Sequence, residues 1–358
     1  GEVEYPVYIR WKDGEKKSEL LFNVNEMAEG NGYFDLSGYT VSNNNMLIAF
    51  GTDTVSRRLY TLEFKNLETG NFYPDKLINT DGAAIWASDN EHVFYIKKDV
   101  QTLLGQEVYR HKLGTDQCQD ILVYRENDDT FYTTLSKSRD GSVIFIHHNS
   151  TAKSGVSILN ARSPLDSFVP FLKIEDNHEY TIEKLGDYYY IHTNWQAKNF
   201  RLMRVNKDTT SDKSSWQPVI EHREGVYLQD FTIFKNAAVI KEKENGENRI
   251  KVLLFNTGKI LELKFDDPVF SIRIADNPEV SSDVVRIDYS SLTTPPSVYE
   301  YKLINGERKL LKQDKGQKAC VKSFVSSIID GKEVPIPYEE ALDSSRVSIE
   351  VANALRSG

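Results

Sequence analysis

Residues 131–159 read FYTTLSKSRDGSVIFIHHNSTAKSGVSIL, and this stretch decides the fold. It contains three β-rich runs separated by polar segments: Phe131–Leu135, Val143–Ile146 and Val156–Leu159. Asp140-Gly141 lies between the first two runs, and glycine tolerates the positive φ that a tight hairpin turn requires. The stretch therefore predicts an antiparallel unit. Such a unit needs neighbours, because a small sheet cannot bury its own apolar faces.

The polar turn before the second strand recurs along the chain at intervals of roughly 46 to 50 residues. We use these turns as anchors: Ser42-Asn43-Asn44-Asn45, Ser88-Asp89-Asn90, Ser138-Arg139-Asp140-Gly141, Leu185-Gly186-Asp187, Phe234-Lys235-Asn236 and Ser281-Ser282-Asp283. This period is typical of a four-stranded propeller blade and not of a helical repeat. Radial stacking of such blades protects strand edges and buries both sheet faces.

Each anchor is followed by three β-rich runs. The second strands are Met46–Phe50, His92–Ile96, Val143–Ile146, Tyr188–Ile191, Ala237–Ile240 and Val284–Ile287. The third strands are Leu59–Phe64, Val108–Leu113, Val156–Leu159, Phe200–Val205, Ile250–Phe255 and Val298–Leu303. The fourth strands are Ile121–Tyr124, Phe168–Leu172, Val219-Ile220, Ile260–Leu263 and Lys309–Leu311, with Leu77-Ile78 the weakest. The pattern predicts six four-stranded units between about Phe34 and Lys312.

The two ends of the chain depart from this pattern. Tyr5–Trp11 and Ser18–Phe22, joined at Asp13-Gly14, resemble the outer half of a blade whose inner half precedes Gly1, so we expect an upstream segment to be absent. Further local predictions are a short helical turn at Asn23–Glu29, a hairpin at Phe324–Ile336 around Asp330-Gly331 and a helix at Glu339–Arg356.

Composition favours a β-rich globular protein, with 39% hydrophobic and 11% aromatic residues. The formal net charge of −9 argues against nucleic acid or an anionic membrane as a partner. No apolar run is long enough to span a membrane, and the first residues do not form a signal peptide. Cys118 and Cys320 form neither a disulfide framework nor a metal-site spacing, so we expect a cytoplasmic protein.

The sequence contains no residues that can be assigned to catalysis. It has no G-x-S-x-G nucleophile turn, and its last histidine is His222, so no triad in the α/β-hydrolase order can be built. P-loop, dinucleotide and H-E-x-x-H motifs are also missing from the sequence. We therefore assign no catalytic, cofactor-binding or metal-binding residue.

Several local features suggest sites, but each has a simpler structural interpretation. His147-His148 would point to opposite faces of a strand, Glu126–Asp129 lacks the glycine and closing glutamate of a calcium loop, and Tyr188–Tyr190 fits a blade core with one exposed ring. Asn149-Ser150-Thr151 matters as a glycosylation acceptor only in a secreted protein. The remaining feature is a set of cations near third strands, which could form domain-interface ion pairs or a plain charged surface: Arg57, Arg58, Lys198 and Arg201.

An ordered set of short motifs resembles the propeller domain of oligopeptidase B (protease II), in the prolyl oligopeptidase family of serine peptidases. These motifs are Asp53–Tyr60 with Lys65–Asn71, Val108–Thr115, His178–Ile182, Ala197–Phe200, Phe265–Pro268 and Ser290–Tyr301. The resemblance implies an all-β, seven-bladed propeller over residues 1–312, its first blade incomplete. Residues 313–358 are then a linker and a fragment of the α/β-hydrolase peptidase domain, with Phe324–Ile336 resembling its start.

The resemblance also implies a function. In this family the propeller caps the peptidase domain and admits short peptides, and relatives of oligopeptidase B cleave after Arg or Lys. We therefore expect a gating domain whose partners are short basic peptides and its own peptidase domain, without a cofactor. No catalytic Ser, Asp or His of the family can be matched, so the chain alone is predicted to be inactive.

Two other functions remain open from the sequence. The first is a stand-alone propeller that binds peptide or protein partners, which would require a closed ring. The second is a propeller glycosidase with paired carboxylates at the central channel, for which Asp230 and Glu183 lie on or beside inner-strand patterns.

Overall fold

The computed structural model describes residues 4–11, 14, 17–313 and 316–357, and the side chains of all of these except 317–321 and 355–357. The strands are β1 (Val7–Trp11), β2 (Ser18–Asn23), β3 (Asp35–Val41), β4 (Leu47–Asp53), β5 (Tyr60–Asn66), β6 (Phe72–Trp86), β7 (His92–Lys98), β8 (Gly105–Lys112), β9 (Ile121–Arg125), β10 (Tyr132–Lys137), β11 (Val143–Asn149), β12 (Ser154–Asn160), β13 (Val169–Pro170), β14 (Tyr180–Leu185), β15 (Tyr188–Thr193), β16 (Arg201–Asn206), β17 (Gln217–Ile220), β18 (Val226–Phe234), β19 (Ala237–Glu244), β20 (Glu247–Leu254), β21 (Ile260–Glu262), β22 (Phe270–Ile274), β23 (Val284–Ser291), β24 (Ser297–Lys302) and β25 (Arg308–Gln313). The helices are α1 (Val24–Met27), α2 (Gln317–Ile329) and α3 (Tyr338–Ser357), with 3₁₀ turns at Gln117–Gln119 and Lys213–Ser215.

The strands follow one another in antiparallel sheets. β1 pairs with β2, β3 to β9 form one seven-stranded sheet in chain order, and four-stranded sheets are formed by β10 to β13, β18 to β21 and β22 to β25. β16 pairs with β17 in the same manner. The chain divides into two compact units, Gly1–Tyr189 with Val205–Trp216, and Tyr190–Arg204 with Gln217–Gly358. The all-β prediction is confirmed.

The long strand β6 explains the seven-stranded sheet. Its first part pairs with β5 between Phe72 and Thr80, and its second part pairs with β7 between Thr80 and Trp86. β6 is thus the fourth strand of one group of four strands and the first strand of the next. The backbone bends between these parts at Asn79 and Gly82, whose φ angles are +59° and +94°. The fourth strand predicted at Leu77-Ile78, the weakest of its set, is confirmed as part of β6, which then continues through the bend to pair with β7.

The anchor turns of the sequence repeat contact one another in the first unit. The N–H of Asn44 donates to Oδ1 of Asn90 at 3.0 Å, and the N–H of Gly186 donates to Oδ2 of Asp140 at 3.2 Å. Both pairs are separated by 46 residues. The repeat in the sequence is therefore also a repeat in space.

The second strands are apolar because both of their faces are covered. On β7, Val93 and Tyr95 pack in one core with residues of β4 and β5, whereas Phe94 and Ile96 pack in the next core with β11 and β12. In the second unit, residues of β19, β20, β23 and β24 form a comparable core. A strand buried on both faces appears in the sequence as a continuous apolar run and not as an alternating one.

Both strands predicted before the first anchor are confirmed as β1 and β2, and the helical turn after them as α1. Gly14 turns with φ +81°, whereas Asp13 lies outside the described residues. The predicted C-terminal helix is confirmed as α3. None of the described helices is both long and apolar enough to cross a membrane.

The hairpin predicted at Phe324–Ile336 was wrong, because α2 occupies the first part of this segment. The N–H of Gly331 donates to the carbonyl of Ile328 at 3.3 Å, and the N–H of Lys332 donates to that of Ser327 at 2.8 Å. With Gly331 at φ +63°, this is a Schellman motif that ends the helix. Asp-Gly suits a hairpin turn and a helix C-terminus equally, since both use a glycine with positive φ.

Candidate functional site at one end of the sheets

In a four-stranded antiparallel sheet, the loop between the second and third strands and the end of the fourth strand lie at the same end. We call this the exit end, because the last strand, β25, leaves its sheet there at Gln313. The opposite end, with the anchor turns, is the turn end. The exit-end segments between sequential strands are 54–59, 99–104, 126–131, 150–153, 171–179, 194–200, 221–225, 245–246, 263–269 and 292–296.

Backbone strain is concentrated at the exit end. Of the ten described non-glycine residues with positive φ, only Asn45 and Asn90 lie at the turn end. Seven lie in the exit-end segments and Asn79 lies at the bend of β6, which connects a fourth strand to the next first strand at the same end: Ser56, Arg58, Asn79, Leu103, Asn177, Gln196, Phe200 and Asn245. Such residues cost free energy and persist where the surrounding contacts hold them, which is common in functional loops.

The loop between β4 and β5 is folded around a buried carboxylate. Asp53 accepts hydrogen bonds from the N–H groups of Val55 at 2.9 Å and Arg58 at 2.8 Å. The ammonium of Lys98 donates to the carbonyl of Arg58 at 3.0 Å. The side chains of Arg57 and Arg58 are exposed. The loop is thus held by its backbone, which leaves its two guanidinium groups on the surface.

In the last sheet, Asp267 joins two separate exit-end segments. It accepts hydrogen bonds from the hydroxyl groups of Tyr289 at 2.5 Å, Thr293 at 2.7 Å and Thr294 at 2.9 Å. Burial would raise the pKa of Asp267, but these hydrogen bonds outweigh it and lower the pKa to about 2. We call this set the Asp267 clamp. It ties the segment after β21 to the loop after β23.

Arg201 begins β16 at the exit end. Its guanidinium lies over the ring of Trp195 at 5.1 Å, and its Nη1 is 4.0 Å from Oε2 of Glu221. Lys198 in the adjoining loop is exposed. Of the four cations noted in the sequence, Arg201 alone combines burial with an aromatic platform.

A second carboxylate network lies at the turn end of the first unit. Nδ1 of His111 is 2.6 Å from Oδ1 of Asp120, and its Nε2 is 3.1 Å from Oδ1 of Asp75. The three side chains are at most 1% exposed. Burial would lower the pKa of His111, but the hydrogen bonds and charges of Asp120 and Asp75 outweigh it and raise the pKa. We call this set the His111 clamp.

The neighbouring histidines of β11 each contact a different serine. Nε2 of His147 lies 2.7 Å from Oγ of Ser136, and Nε2 of His148 lies 3.0 Å from Oγ of Ser157. Burial lowers the pKa of His147 to about 4, so its neutral ring can accept a hydrogen bond from Ser136. Ser157 and His148 are both buried inside the sheet packing. This arrangement suits structural hydrogen bonding, since a nucleophile must be reachable by its substrate.

His148 also lies near a carboxylate, with Nδ1 3.6 Å from Oε2 of Glu126. Glu126 itself accepts a hydrogen bond from the hydroxyl of Tyr124 at 2.6 Å. Asp128 closes its own turn by accepting from the N–H of Thr130 at 3.0 Å. The carboxylates of Glu126 and Asp128 therefore accept hydrogen bonds from residues two positions away in the chain. Among the described residues, no group of three or more His, Cys, Asp or Glu could hold a metal ion.

The remaining residues noted in the sequence differ in burial. Glu183 is partly buried in the first unit and accepts the N–H of Arg139 at 3.1 Å, whereas Asp230 is exposed in the second unit. Tyr189 and Tyr190 are buried, and Tyr188 is the exposed ring of its group. Cys118 is exposed with a free thiol, and the side chain of Cys320 lies outside the described residues.

Comparison with known proteins identifies the family. The model of the prolyl oligopeptidase N-terminal β-propeller domain matches residues 1–314. The chain belongs to the prolyl oligopeptidase family. It is 36% identical to dipeptidyl aminopeptidase BI from Pseudoxanthomonas mexicana over 327 residues, which cover 87% of the chain and 45% of that relative. It is 28% identical to protease 2 from Moraxella lacunata over 316 residues, covering 86% and 45%.

A solved structure of oligopeptidase B from Leishmania major superposes with a TM-score of 0.80 at 25% identity, covering 86% of this chain and 45% of that one. The chain therefore spans just under half the length of the relatives it matches. The propeller fold and the resemblance to this family are confirmed.

Members of both clamps lie within the motifs on which the resemblance depends. Phe265–Pro268 and Ser290–Tyr301 are distant in sequence, and Asp267 joins them through Thr293 and Thr294. Val108–Thr115 contains His111. The sequence analysis did not find either clamp, because a sequence does not show which residue an aspartate or a histidine contacts in the folded chain. The signal that could have found the Asp267 clamp was the pair of threonines in Ser290–Tyr301. Asp75 and Asp120 lie outside the quoted motifs, so no motif pointed to the His111 clamp.

Proposed function

We propose that this chain is the access-controlling propeller of an oligopeptidase B-like serine endopeptidase that cleaves short peptides after Arg or Lys. The observation that carries this proposal is the concentration of strained, clamped loops at the exit end, where the chain leaves its last sheet. Within each unit, loops held by such contacts offer an ordered surface against which a peptidase domain can open and close. The net charge of −9 favours basic peptides.

In this proposal the chemistry lies in the peptidase domain, and this chain alone is inactive. The two Ser–His contacts of the described residues support this view, because Ser157 is buried and Ser136 is half-buried. We further propose seven blades over residues 1–312, with β1 and β2 as the outer half of the first. Residues 313–358 then form the linker and the start of the peptidase domain, and the protein is cytoplasmic.

A chimera tests this function. This chain would replace the matched part of the Pseudoxanthomonas mexicana dipeptidyl aminopeptidase BI, and peptide hydrolysis would be measured beside this chain alone. We expect the chimera to hydrolyse an arginine-containing octapeptide but not a folded protein that contains the same sequence. The isolated chain should release no product. Hydrolysis by the chain alone, or equal cleavage of the folded protein, would contradict the proposal.

A second candidate differs only in where the parent enzyme cuts. The 36% identity to a protein named dipeptidyl aminopeptidase BI favours removal of dipeptides from a free N-terminus. Substrates with free and acetylated N-termini distinguish the two activities in the natural full-length protein. An endopeptidase cleaves the acetylated peptide, whereas a dipeptidyl aminopeptidase cleaves only the peptide with a free N-terminal amine.

A further inference from the structure

Arg201 is held in a fixed orientation by the exit-end loop 194–200. Its guanidinium lies 5.1 Å from the centre of the Trp195 ring, a distance at which a cation is attracted to the aromatic face. The loop itself is strained, with Gln196 at φ +51° and Phe200 at φ +60°. The carbonyl of Asn199 accepts the N–H of Leu228 at 3.0 Å, which fastens the loop to β18. Arg201 is thus preorganised.

The polar pairing around Arg201 is incomplete. Its Nη1 reaches only 4.0 Å from Glu221, whose side chain is 67% exposed and therefore screened by water. The Nε of Arg201 is buried and has no hydrogen-bond partner. Nε2 of His222 and Oε1 of Gln229 are also buried without partners. Buried polar atoms without partners are rare, so the Nε of Arg201 is a donor that the described contacts leave unused.

We propose that Arg201 forms a carboxylate-binding site on its Trp195 platform. A planar guanidinium presents two parallel N–H donors that match a carboxylate, and an Nε without an acceptor is one of these donors. The proposal rests on the proposed function for the source of this carboxylate. It is either the C-terminal carboxylate of a bound peptide or an Asp or Glu side chain of the peptidase domain.

The first experiment measures carboxylate binding by the chain itself. Acetyl-tetraalanine with a free carboxylate is titrated into ¹⁵N-labelled protein, and the arginine Nε–Hε signals are followed. The signal that disappears in Arg201→Lys should shift with the peptide acid and not with the peptide amide. The signal of Arg204, on the same strand and bound to Gln217, serves as the control. A shift shared equally by both arginines, or absent at Arg201, overturns the proposal.

The second experiment identifies the source of the carboxylate in the active chimera. Arg201→Gln and Arg201→Lys are compared with Arg204→Gln, using peptide acids and amides. An increase in KM of about tenfold or more for acids alone identifies the peptide terminus. A comparable loss of kcat/KM for both substrates, which becomes smaller as salt screens the ion pair in the parent, identifies the peptidase domain. If all three variants have the same kinetic constants, the proposed site is overturned and the proposed function is unaffected. An inactive parent chimera counts only against the proposed function.

Discussion

The His111 clamp and the Asp267 clamp perform the same task with different chemistry. Each uses aspartate to join segments that are distant in sequence. At the turn end, His111 lies between two carboxylates in a site that water does not reach. At the exit end, Asp267 accepts neutral hydroxyl groups in a partly exposed loop. The first clamp is ionic and buried, and the second is polar and accessible.

This difference indicates which clamp the fold depends on more strongly. A charge buried without its partner costs several kcal/mol, because it has lost its hydration. A carboxylate at a surface loop can recover water when its hydroxyl partners are removed. The His111 clamp should therefore contribute more to the free energy of unfolding than the Asp267 clamp.

The largest effect is expected for His111→Ala. The substitution leaves Asp75 and Asp120 buried without a cation and should lower the free energy of unfolding by about 3 to 5 kcal/mol. It also removes the stacking of the ring on Phe64, 5.9 Å away. Chemical denaturation checks the change. His111→Gln, which keeps a hydrogen-bond donor, should lose less and remain folded if the alanine variant does not.

His92→Ala provides a matched control for that experiment. His92 pairs with Asp89 at 2.6 Å, but Asp89 is 31% exposed and can be hydrated. Its loss should cost no more than about 1 kcal/mol. Equal losses at His92 and His111 would show that burial does not decide the strength of these pairs.

A smaller effect is expected for Asp267→Ala, at about 2 kcal/mol, because three hydroxyl groups lose one acceptor. Loop 292–296 should become more sensitive to limited proteolysis, since its tie to the segment after β21 is gone. Asp266→Ala is the control. Asp266 is 76% exposed and pairs with Arg308, so its removal should change stability by less than about 1 kcal/mol. Unchanged proteolysis of the loop in Asp267→Ala would argue against the clamp.

Tyr289→Phe tests how much a single hydroxyl group contributes to the Asp267 clamp. It removes one hydroxyl from Asp267 but keeps the ring, which stacks on Phe265 at 5.4 Å. The expected loss is about 1 kcal/mol, the net value of one hydrogen bond. Thermal unfolding of the parent and variant measures it. A loss as large as that of Asp267→Ala would mean that the two threonines contribute nothing.

The comparison also shows what the sequence could predict. The repeat was predictable because second strands buried on both faces leave continuous apolar runs, as on β7 and β19. Family membership was predictable from ordered motifs. The contacts between those motifs were not predictable, since Asp267 and Thr293 are brought together by the fold and not by their spacing in the sequence. The segment before Asp330-Gly331 was interpreted wrongly, because this dipeptide ends helices as readily as it turns hairpins.

The smallest predicted effect is a difference in pH dependence. The pKa of His111 is raised in the folded protein above its ordinary 6.5 by Asp120 and Asp75, while Tyr95 faces the same Asp120. Its stabilisation is therefore complete below pH 6.5 and is lost as the pH rises through the folded pKa. Asp267 behaves in the opposite way. Its pKa falls from 3.8 to about 2, so its stabilisation is complete above pH 3.8 and is lost as the pH falls toward 2.

Denaturation at several pH values separates these two contributions from the titration of the rest of the protein. The stability difference between the parent and His111→Gln should narrow above pH 6.5, and that between the parent and Asp267→Asn should narrow below pH 3.8. Each of these changes in the free energy of unfolding should be smaller than that of the corresponding alanine substitution, because the hydrogen-bond partners stay in place. If both stability differences narrow as the pH rises, or both narrow as it falls, the two clamps do not differ in the charge they hold. The distinction between an ionic and a polar clamp then fails.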